Sequence, residues 1–458
     1  MYLKLPSEIP RHWNVIQDAL SLQQRWTPKA LVGVIDKIRS SSYKQVKDMP
    51  SDVRFSGLLQ FFKDSYVVNG DETQFWGNKG FGSPESNSHM TGWFLAHTIP
   101  FMAGLVLRMS KMPRLKLLDI EETSVQECIL SRTECASLLA CSFFCGFHYT
   151  SAPTKKFVNF DSIFISLNKK CPQNVAKMWM LMNYFERCRL EMYDTQSHVT
   201  IRRLHQLHPK SSTTWRSIDI PLTDFTVEKN GSISDAGPTS LHVDFANRWI
   251  GGGVLNRGSV QEEIMFSVCP ELLCTIHLCG VMNHSEAITV SGADEYSLHT
   301  GYSRQLKYAG DSPQTDEIIT RVAMDATRFT GDRTFMRQYS EESILRELNK
   351  AFVAFDHDLP FNGSPVATGN WGCGAFAGHV QLKSMLQWIA ASACSRPVSY
   401  FTFKDPNCEG IEDMTLLLIK KEVSVGQLFG EVIDFAEQVE VKDKPDKQLF
   451  TYLRETFE

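Results

Sequence analysis

The first half of the chain, from about Trp13 to Leu190, has apolar residues that recur mainly at helical spacing. An amphipathic helix repeats apolar positions at i, i+3 and i+4, whereas a half-buried strand alternates apolar and polar residues. Three segments fit the helical template best, and they read HWNVIQDALSLQQRW, FSGLLQFFKDSYVV and ECASLLACSFFCGF. The pattern predicts a helical N-terminal part.

The pattern changes after about Asp194, where short β-branched or aromatic runs alternate with helical segments. The predicted strands read HVTIRRL, LHVDFANRWI, LLCTIHLC, AITVSGA, TRVAMDA and VSYFTF, and the clearest helical runs span residues 259–268 and 379–393. Such alternation is typical of an α/β domain with helices on both faces of a mixed sheet. We therefore expect a helical accessory domain at residues 1–193 and an α/β domain at residues 194–458.

One long apolar run, GWFLAHTIPFMAGLVLRM at residues 92–109, raises the question of a membrane span. His97, Thr98 and Pro100 interrupt it, and it falls short of the ~20 apolar residues that a spanning helix needs. The run predicts a buried helix of the core, and we expect no membrane association.

Composition and charge exclude one broad class of function. The 458 residues are 43% hydrophobic and 22% charged, which is typical of a folded protein, and no low-complexity tract is present. The net charge of -5 argues against a general nucleic-acid binder that works through a positive field. We expect no direct nucleic-acid binding.

The cysteines predict free thiols in a reducing compartment. None of the twelve cysteines forms a C-x-x-C pair, and Cys135, Cys141 and Cys145 lie inside an apolar, helix-like run. Cys145 and His148 have no second ligand pair nearby, so we predict no zinc site. The opening MYLKLPSEIPRHW lacks the pattern of a secretory signal, which favours an intracellular protein.

A glycine triplet follows one predicted strand. Gly251, Gly252 and Gly253 can adopt positive φ and let backbone N–H groups approach a ligand closely. The next helix is predicted to start near Gly258 or Ser259, with Val260, Ile264 and Val268 on its buried face. A glycine loop that leads into a helix N-terminus suits phosphate or diphosphate. Three glycines also occur in ordinary turns, so the loop alone leaves both interpretations open.

Gln261, Glu262 and Glu263 fall in the first turn of that helix. Acidic residues are common there because they complement the helix dipole. Beside a phosphate cradle, however, two more anions are an electrostatic conflict, and such conflicts tend to mark functional sites. Burial and a nearby diphosphate would raise a glutamate pKa toward the range of a general acid for glycosidic cleavage. Because consecutive helical residues point about 100° apart, the two glutamates would divide the work.

A second glycine loop, ATGNWGCGAFAGHVQLKSMLQWIA, repeats this logic. Its glycines precede a helix with Leu382, Met385, Leu386 and Ile389 at core spacing. Two glycine loops that each open a helix fit the two phosphates of a nucleotide diphosphate. Neither loop matches the dinucleotide-binding or P-loop pattern, which disfavours a dehydrogenase or an NTPase.

These segments resemble a known family. GGGVLNRGSVQEE is similar to the signature of poly(ADP-ribose) glycohydrolases, and VDFANRWIGGG and ATGNWGCGAF resemble other binding segments of that family. The strong resemblance covers about residues 233–403, and the helical half is similar more loosely to the family's accessory domain. It implies a macrodomain-like mixed sheet flanked by helices, which binds ADP-ribose and hydrolyses ribose–ribose O-glycosidic bonds of poly(ADP-ribose) without a metal or other cofactor.

The resemblance also implies roles for individual residues. Glu263 would protonate the leaving ribose oxygen and then activate water, while Glu262 would hold hydroxyls of the neighbouring ribose. Asp244 and Asn247 would support and position the site. The other implied contacts are Gly251, Gly252, Gly253, Gly372, Gly374 and Ala375 at the diphosphate, Asn370 and Phe376 at the ribose, and Ile233, Gln261, Tyr302 and Phe403 at the adenine.

Two positions depart from the family pattern, since Ser234 stands where an acidic residue is expected and His299 where a tyrosine is expected. The adenine pocket can therefore differ in detail. Two rival functions stay open, namely a macrodomain reader that binds ADP-ribose without cleaving it and a dinucleotide-dependent oxidoreductase. As a hydrolase, the chain is expected to act as a nuclear or cytoplasmic monomer on poly-ADP-ribosylated proteins in the DNA damage response, with ADP-ribose as product.

Overall fold

The computed structural model describes residues 2–42, 54–64, 91–118, 124–148, 158–167, 171–191, 197–330, 334–357, 363–442 and 448–458. The α-helices of the first half are α1 (Pro10–Ser21), α2 (Pro28–Ser42), α3 (Ser56–Asp64), α4 (Ile99–Leu107), α5 (Arg132–Phe143), α6 (Asp161–Ile165) and α7 (Pro172–Glu191). Those of the second half are α8 (Ser212–Arg216), α9 (Gln261–Val268), α10 (Cys274–Leu278), α11 (Thr334–Gln338), α12 (Glu341–Phe355), α13 (Val380–Ala393), α14 (Ile411–Lys420), α15 (Val425–Lys442) and α16 (Leu449–Phe457).

The strands are β1 (Val125–Ser131), β2 (His198–His205), β3 (Phe225–Glu228), β4 (Leu241–Asp244), β5 (Glu286–Ser291), β6 (Ser297–Thr300), β7 (Lys307–Asp311), β8 (Thr320–Ala323), β9 (Val366–Gly369) and β10 (Val398–Phe401). Short 3-10 helices occur at Pro6–Glu8, Met109–Lys111, Ile233–Ala236, Pro270–Leu273, Ser303–Gln305 and Pro406–Cys408, and a π-helical turn at Phe94–Thr98 precedes α4.

Eight of these strands form one mixed sheet in the order β1-β2-β5-β8-β4-β9-β10-β3. The pairs β1–β2, β2–β5 and β5–β8 are antiparallel, whereas the pairs β8–β4, β4–β9, β9–β10 and β10–β3 are parallel. The remaining strands, β6 and β7, form a separate antiparallel hairpin. The expected mixed sheet is confirmed.

Each face of this sheet packs against its own layer of helices. Successive strand residues point to opposite faces, and Ile288 and Ala323 contact one core while Ala287 and Val322 contact the other. The first core contains side chains from α1 to α7, α9 and α10, and the second contains side chains from α11 to α16. The prediction of helices on both faces is therefore confirmed.

The apolar run at residues 92–109 forms the π-helical turn and α4, with Ile99, Met102 and Val106 fully buried. This agrees with the prediction of a core helix. Within the described ranges, none of the helices combines enough length and apolar character to cross a membrane. In the part of the chain that the structure describes, no cysteine forms a disulfide bond, and all except Cys373 and Cys394 are buried, as expected.

Several expectations about elements were wrong. The predicted strand LHVDFANRWI is a strand only at Leu241–Asp244. The segment LLCTIHLC, predicted as a strand, forms the 3-10 helix Pro270–Leu273 and α10, because Pro270 starts a helical turn and short apolar runs fit either structure. The first half is also not purely helical, since β1 pairs with β2 along its whole length, from Val125 opposite Leu204 to Ser131 opposite His198. The division at residues 193/194 stays a prediction, and the predicted helix at 55–68 is described only as far as Asp64.

Candidate active site

The carboxyl ends of the parallel strands lie side by side at one edge of the sheet. Asp244 at the end of β4 pairs with Ala323 of β8, and Gly369 at the end of β9 pairs with Phe401 of β10. Because β4 also pairs with β9, the loops after β4 and β9 emerge next to each other. A crevice at such an edge is the usual ligand site of open α/β sheets. Both glycine loops therefore begin at the same place in the fold.

Glu262 is a buried side chain that ties together the segment after β4. Its Oε1 accepts a hydrogen bond from the N–H of Gly251 at 2.6 Å, and its Oε2 accepts one from the N–H of Asn247 at 2.9 Å. The Asn247 side chain in turn accepts a bond from the N–H of Trp249 at 3.0 Å.

Glu263 is also buried and contacts both ends of the glycine loop. Its Oε1 accepts from the N–H of Gly253 at 2.7 Å, and its Oε2 accepts from the N–H of Val260 at 2.9 Å. Val260 is the N-cap of α9, so Glu263 satisfies one of the free N–H groups that every helix start leaves. The helix α9 starts at Gln261, slightly later than the predicted start near Gly258 or Ser259. Val260, predicted on the buried face, is the N-cap and is exposed.

The loop needs glycine because the two carboxylates lie against its backbone. Gly252 has a φ of +48°, and a Cβ there would lie 2.5 Å from Glu263 Oε1 and would also overlap Glu262. A Cβ at Gly258 would lie 2.6 Å from Glu263 Cδ. No larger residue fits between such atoms without a shift of the site.

All three amide donors of the triplet are used within the protein. Gly251 and Gly253 donate to the glutamates, and the N–H of Gly252 donates to the Trp249 carbonyl at 3.0 Å. This differs from the expectation of a loop with open donors. The role of the triplet at the diphosphate stays a prediction.

Asp244 is buried at the end of β4, directly before this loop. Burial, and secondly the nearby Glu263 carboxylate, raise its pKa well above the ordinary value, while Arg321 opposes the change. Its Oδ1 has no hydrogen-bond partner among the described residues. Gln261 anchors the same strand end, since its side chain accepts from the N–H of Phe245 at 2.9 Å and donates to the Val243 carbonyl at 3.1 Å.

The second loop, by contrast, presents open donors. Gly372 has a φ of +74°, and a Cβ there would lie 2.6 Å from the Ala326 Cβ. Among the described residues, no acceptor bonds the N–H groups of Gly374, Ala375 and Phe376. Successive free N–H groups form a concave site suited to an anion.

The side chain of Asn370, at the start of this loop, bonds residues of β10 and of the segment that follows β10. It donates to Asp405 Oδ2 at 3.1 Å and accepts from the Tyr400 hydroxyl at 2.9 Å, and it also bonds Cys408. Phe376 is the last of the three residues with a free N–H group, and its carbonyl accepts a hydrogen bond from the N–H of Phe329 at 2.9 Å. Asn370 thus fixes the start of the loop through the end of β10.

The predicted adenine-end residues differ in exposure. Ile233 is buried and packs with Ala367 of β9 and Phe401 of β10. Tyr302 and Phe403 expose 55% and 43% of their surface, which is unusual for aromatic rings. Phe403 also has a φ of +53°, a strained value for a residue with a side chain.

The two positions that depart from the family pattern are both exposed. Ser234 lies on the 3-10 helix Ile233–Ala236, next to Asp235, which accepts bonds from the backbone and side chain of Ser232. His299 lies on β6 opposite Tyr308. Within the described ranges, no group of three or more His, Cys, Asp or Glu side chains could hold a metal ion.

Comparison with known proteins agrees with this geometry. Residues 212–410 match the family model for the macro domain fold of poly(ADP-ribose) glycohydrolase, and residues 87–203 match the model for its helical domain. Poly(ADP-ribose) glycohydrolase 1 of Arabidopsis thaliana is 30% identical over 405 residues, which cover 71% of this chain and 72% of that protein. Poly(ADP-ribose) glycohydrolase 2 of Caenorhabditis elegans is 32% identical over 338 residues, which cover 69% and 67% respectively. The chain belongs to the poly(ADP-ribose) glycohydrolase family.

The family resemblance expected from the sequence is thus confirmed, together with the macro domain fold and the helical N-terminal domain. The match of the helical domain extends to residue 203, so it includes most of β2 beyond the predicted division at 193/194. The roles of single residues in this member of the family stay predictions.

Two buried lysines that contact the glycine loops were not predicted from the sequence. Lys177 on α7 donates to the carbonyls of Val254 and Asn256 in the first loop. Lys383 on α13 forms an ion pair with Glu347 beneath the second loop and lies 3.7 Å from the centre of the Trp371 ring. Each had a signal in the sequence, because Lys177 interrupts an apolar run and Lys383 places a cation in the first turn of a helix, against the dipole.

Proposed function

We propose that the protein is a glycoside hydrolase that cleaves ribose–ribose O-glycosidic bonds of poly(ADP-ribose) and releases ADP-ribose. Membership of the family and the names of the two relatives support this reaction class. The observation that carries the proposal is the buried pair Glu262 and Glu263 at the start of α9, at the carboxyl end of the parallel strands.

In the proposed reaction, Glu263 protonates the departing ribose oxygen while the sugar develops oxocarbenium character, and it then takes a proton from the attacking water. The two backbone bonds from Gly253 and Val260 hold its carboxyl group in one orientation. A fixed orientation favours catalysis because little reorganisation is left for the reaction itself. The Glu262 carboxylate, which the N–H groups of Gly251 and Asn247 hold in place, is proposed to accept hydrogen bonds from hydroxyl groups of the neighbouring ribose.

The diphosphate is proposed to bind along the second loop. The free N–H groups of Gly374, Ala375 and Phe376 supply donors there. The exposed rings of Tyr302 and Phe403 are proposed to contact the adenine end, since exposed aromatic rings offer stacking surface for a base. Asp244 is proposed to support Glu263 from the end of β4.

Chromatography of the reaction products tests the proposal. The purified chain is incubated with poly(ADP-ribose), and free ADP-ribose and the length of the remaining polymer are followed over time. A hydrolase shortens the polymer and accumulates ADP-ribose. Polymer that is bound but keeps its length would instead identify a reader module, and the hydrolase assignment would then be wrong.

A further inference from the structure

A helix of the N-terminal half holds the loop that contacts Glu263. Lys177 Nζ on α7 donates to the Val254 carbonyl at 2.9 Å and to the Asn256 carbonyl at 3.1 Å. Gln173, four residues earlier on the same helical face, donates to the Arg257 carbonyl at 3.4 Å. Both donor side chains are buried, so α7 holds three carbonyls of residues 254–257 from the side of the protein interior, although Asn256 and Arg257 are themselves exposed.

The gripped segment is the one that positions Glu263. It begins after Gly253, whose N–H donates to Glu263, and it ends at Gly258, which packs against the Glu263 carboxyl group. A bond from the Gly258 N–H to the Gly253 carbonyl at 3.1 Å closes the segment into a compact turn. A shift of residues 254–257 would therefore move both contacts of Glu263 together.

We propose that Lys177 is a positioning residue for Glu263, acting from the helical half through the carbonyls of Val254 and Asn256. The inference rests on the function proposed for Glu263. The proposal gives the helical domain a part in the reaction. The loop that bonds the Glu263 carboxyl group is fixed in part by Lys177, which lies in the helical domain.

Electrostatics support the same assignment. Burial lowers the pKa of Lys177 to about 8, and the Glu263 carboxylate acts in the opposite direction and favours the charged ammonium. A buried ammonium is costly unless carbonyls or a carboxylate compensate it. The two loop carbonyls and the nearby carboxylate supply this compensation, so Lys177 is energetically coupled to the loop and to Glu263.

The test compares Lys177→Met with Arg187→Met. Arg187 is a buried cation of the same helix that donates to the Ser312 carbonyl at 3.1 Å, away from the Glu263 loop. Turnover of poly(ADP-ribose) is expressed per ADP-ribose-binding site counted by calorimetry, so that unfolded protein does not contribute. We expect Lys177→Met to lower kcat on the order of 10- to 100-fold, because displacing a catalytic group by about 1 Å has effects of this size. KM should stay within about twofold in both variants, and kcat should do so in Arg187→Met.

Hydrogen exchange gives a second readout that does not depend on cleavage. Peptides that cover residues 251–260 should exchange faster in Lys177→Met than in Arg187→Met. Gln173→Leu should have a smaller effect, because it removes only one bond to the segment and also removes an amide oxygen that is buried without a partner among the described residues. Unchanged exchange and unchanged kcat per site in Lys177→Met would overturn the inference, as would an equal loss in Arg187→Met. If the wild-type chain leaves the polymer intact, the proposed function fails, and the exchange data still decide whether Lys177 holds the loop.

Discussion

Replacing Glu263 with Gln removes the proton that the proposed reaction transfers, while the size of the side chain stays the same. General acid–base catalysis contributes roughly 10² to 10⁴ in rate, so kcat should fall by at least about 100-fold, or ~3 kcal/mol. The new NH₂ group would also replace one of the two oxygens that accept backbone bonds, so the N–H of Gly253 or Val260 would face another donor and lose its acceptor. A loss of roughly 1–3 kcal/mol in the free energy of unfolding is therefore expected as well.

Product chromatography and ADP-ribose calorimetry check this prediction together. The expected variant binds ADP-ribose but releases almost none from the polymer. Release close to the wild-type rate would remove Glu263 from its proposed role.

Asp244→Asn should change how stability depends on pH. The pKa of buried Asp244 is raised well above its ordinary value of 3.8. A raised carboxyl pKa means that the favourable contribution is complete below about 3.8 and is lost as pH rises toward the pKa of the folded state. Asparagine is neutral at every pH, so the variant should gain stability relative to the wild type as pH rises, by up to about 1.4 kcal/mol per pH unit.

Urea unfolding of both proteins between pH 5 and 8 measures this difference. Any constant cost of the new amide group shifts all points equally and leaves the slope unaffected. A difference that does not change with pH would show that Asp244 is ionised in the folded protein.

Candidate catalytic residues could be predicted from the sequence where they belong to a local motif. Glu262 and Glu263 were identified from their place after a glycine triplet, and the structure places them against that triplet. The use of the Gly251 and Gly253 donors by these carboxylates was not predictable. The sequence specifies which groups are near each other along the chain, whereas the partner of each donor depends on how the loop folds back onto α9.

At the scale of elements, the second loop depends on a buried ion pair at the start of α13. Lys383 pairs with Glu347, which also pairs with Arg346 at 2.6 Å. Arg346 and Lys350 pair in turn with Asp325, at 2.6 and 2.8 Å. Within this cluster three basic side chains face two carboxylates. Burial lowers the pKa of Lys383 well below its ordinary value, but the ion pair with Glu347 favours its charged form, which leaves one positive charge beneath a loop that we propose to bind a diphosphate.

Lys383→Met should therefore weaken both folding and ADP-ribose binding. Breaking a buried pair from one side costs about 3–5 kcal/mol when the remaining charge is left uncompensated, and the cost should be smaller here because Glu347 still pairs with Arg346. The double variant Lys383→Met with Glu347→Gln keeps the excess positive charge of the cluster and should recover most of the stability and the affinity. Chemical unfolding and calorimetry with ADP-ribose measure both quantities, and wild-type affinity in the single variant would contradict the electrostatic role.

Elements were predictable where their periodicity was long or their flanks were clear. The strands that begin at His198, Glu286, Thr320 and Val398 were predicted within one residue, and so was α13. The strands β3, β6, β7 and β9 were missed, although β8 and β10 are no longer and were predicted, because runs of four or five residues show too little periodicity to be identified consistently. The strand β1 was missed because its neighbours are helical, and its pairing with β2 is a tertiary contact that local sequence does not encode.

At the scale of the whole molecule, the two halves share one hydrophobic core. The first core joins Ile35, Leu139 and Phe185 of the helical half to Ile201 and Ile288 of the sheet. A boundary read from a change of pattern along the sequence marks where the local structure changes. It does not mark where burial ends.

Residues 194–458 expressed alone should therefore fail to form a stable domain. The fragment lacks β1, which covers the edge of β2, and it exposes the sheet face that the helices of the first half bury. It also lacks α7, whose Asn183 donates to the Tyr296 carbonyl at 2.7 Å. Open strand edges and large apolar faces promote association between chains.

Thermal unfolding with and without ADP-ribose, compared with the full chain, measures the outcome. A ligand raises the melting temperature only of a state that binds it, so the full chain should show a shift and the fragment should show neither a cooperative transition nor a shift. A fragment that melts cooperatively and responds to ADP-ribose would mean that the second half folds independently. Lys177 would then be dispensable for forming the nucleotide site, and its contribution would be confined to the orientation of Glu263 during turnover.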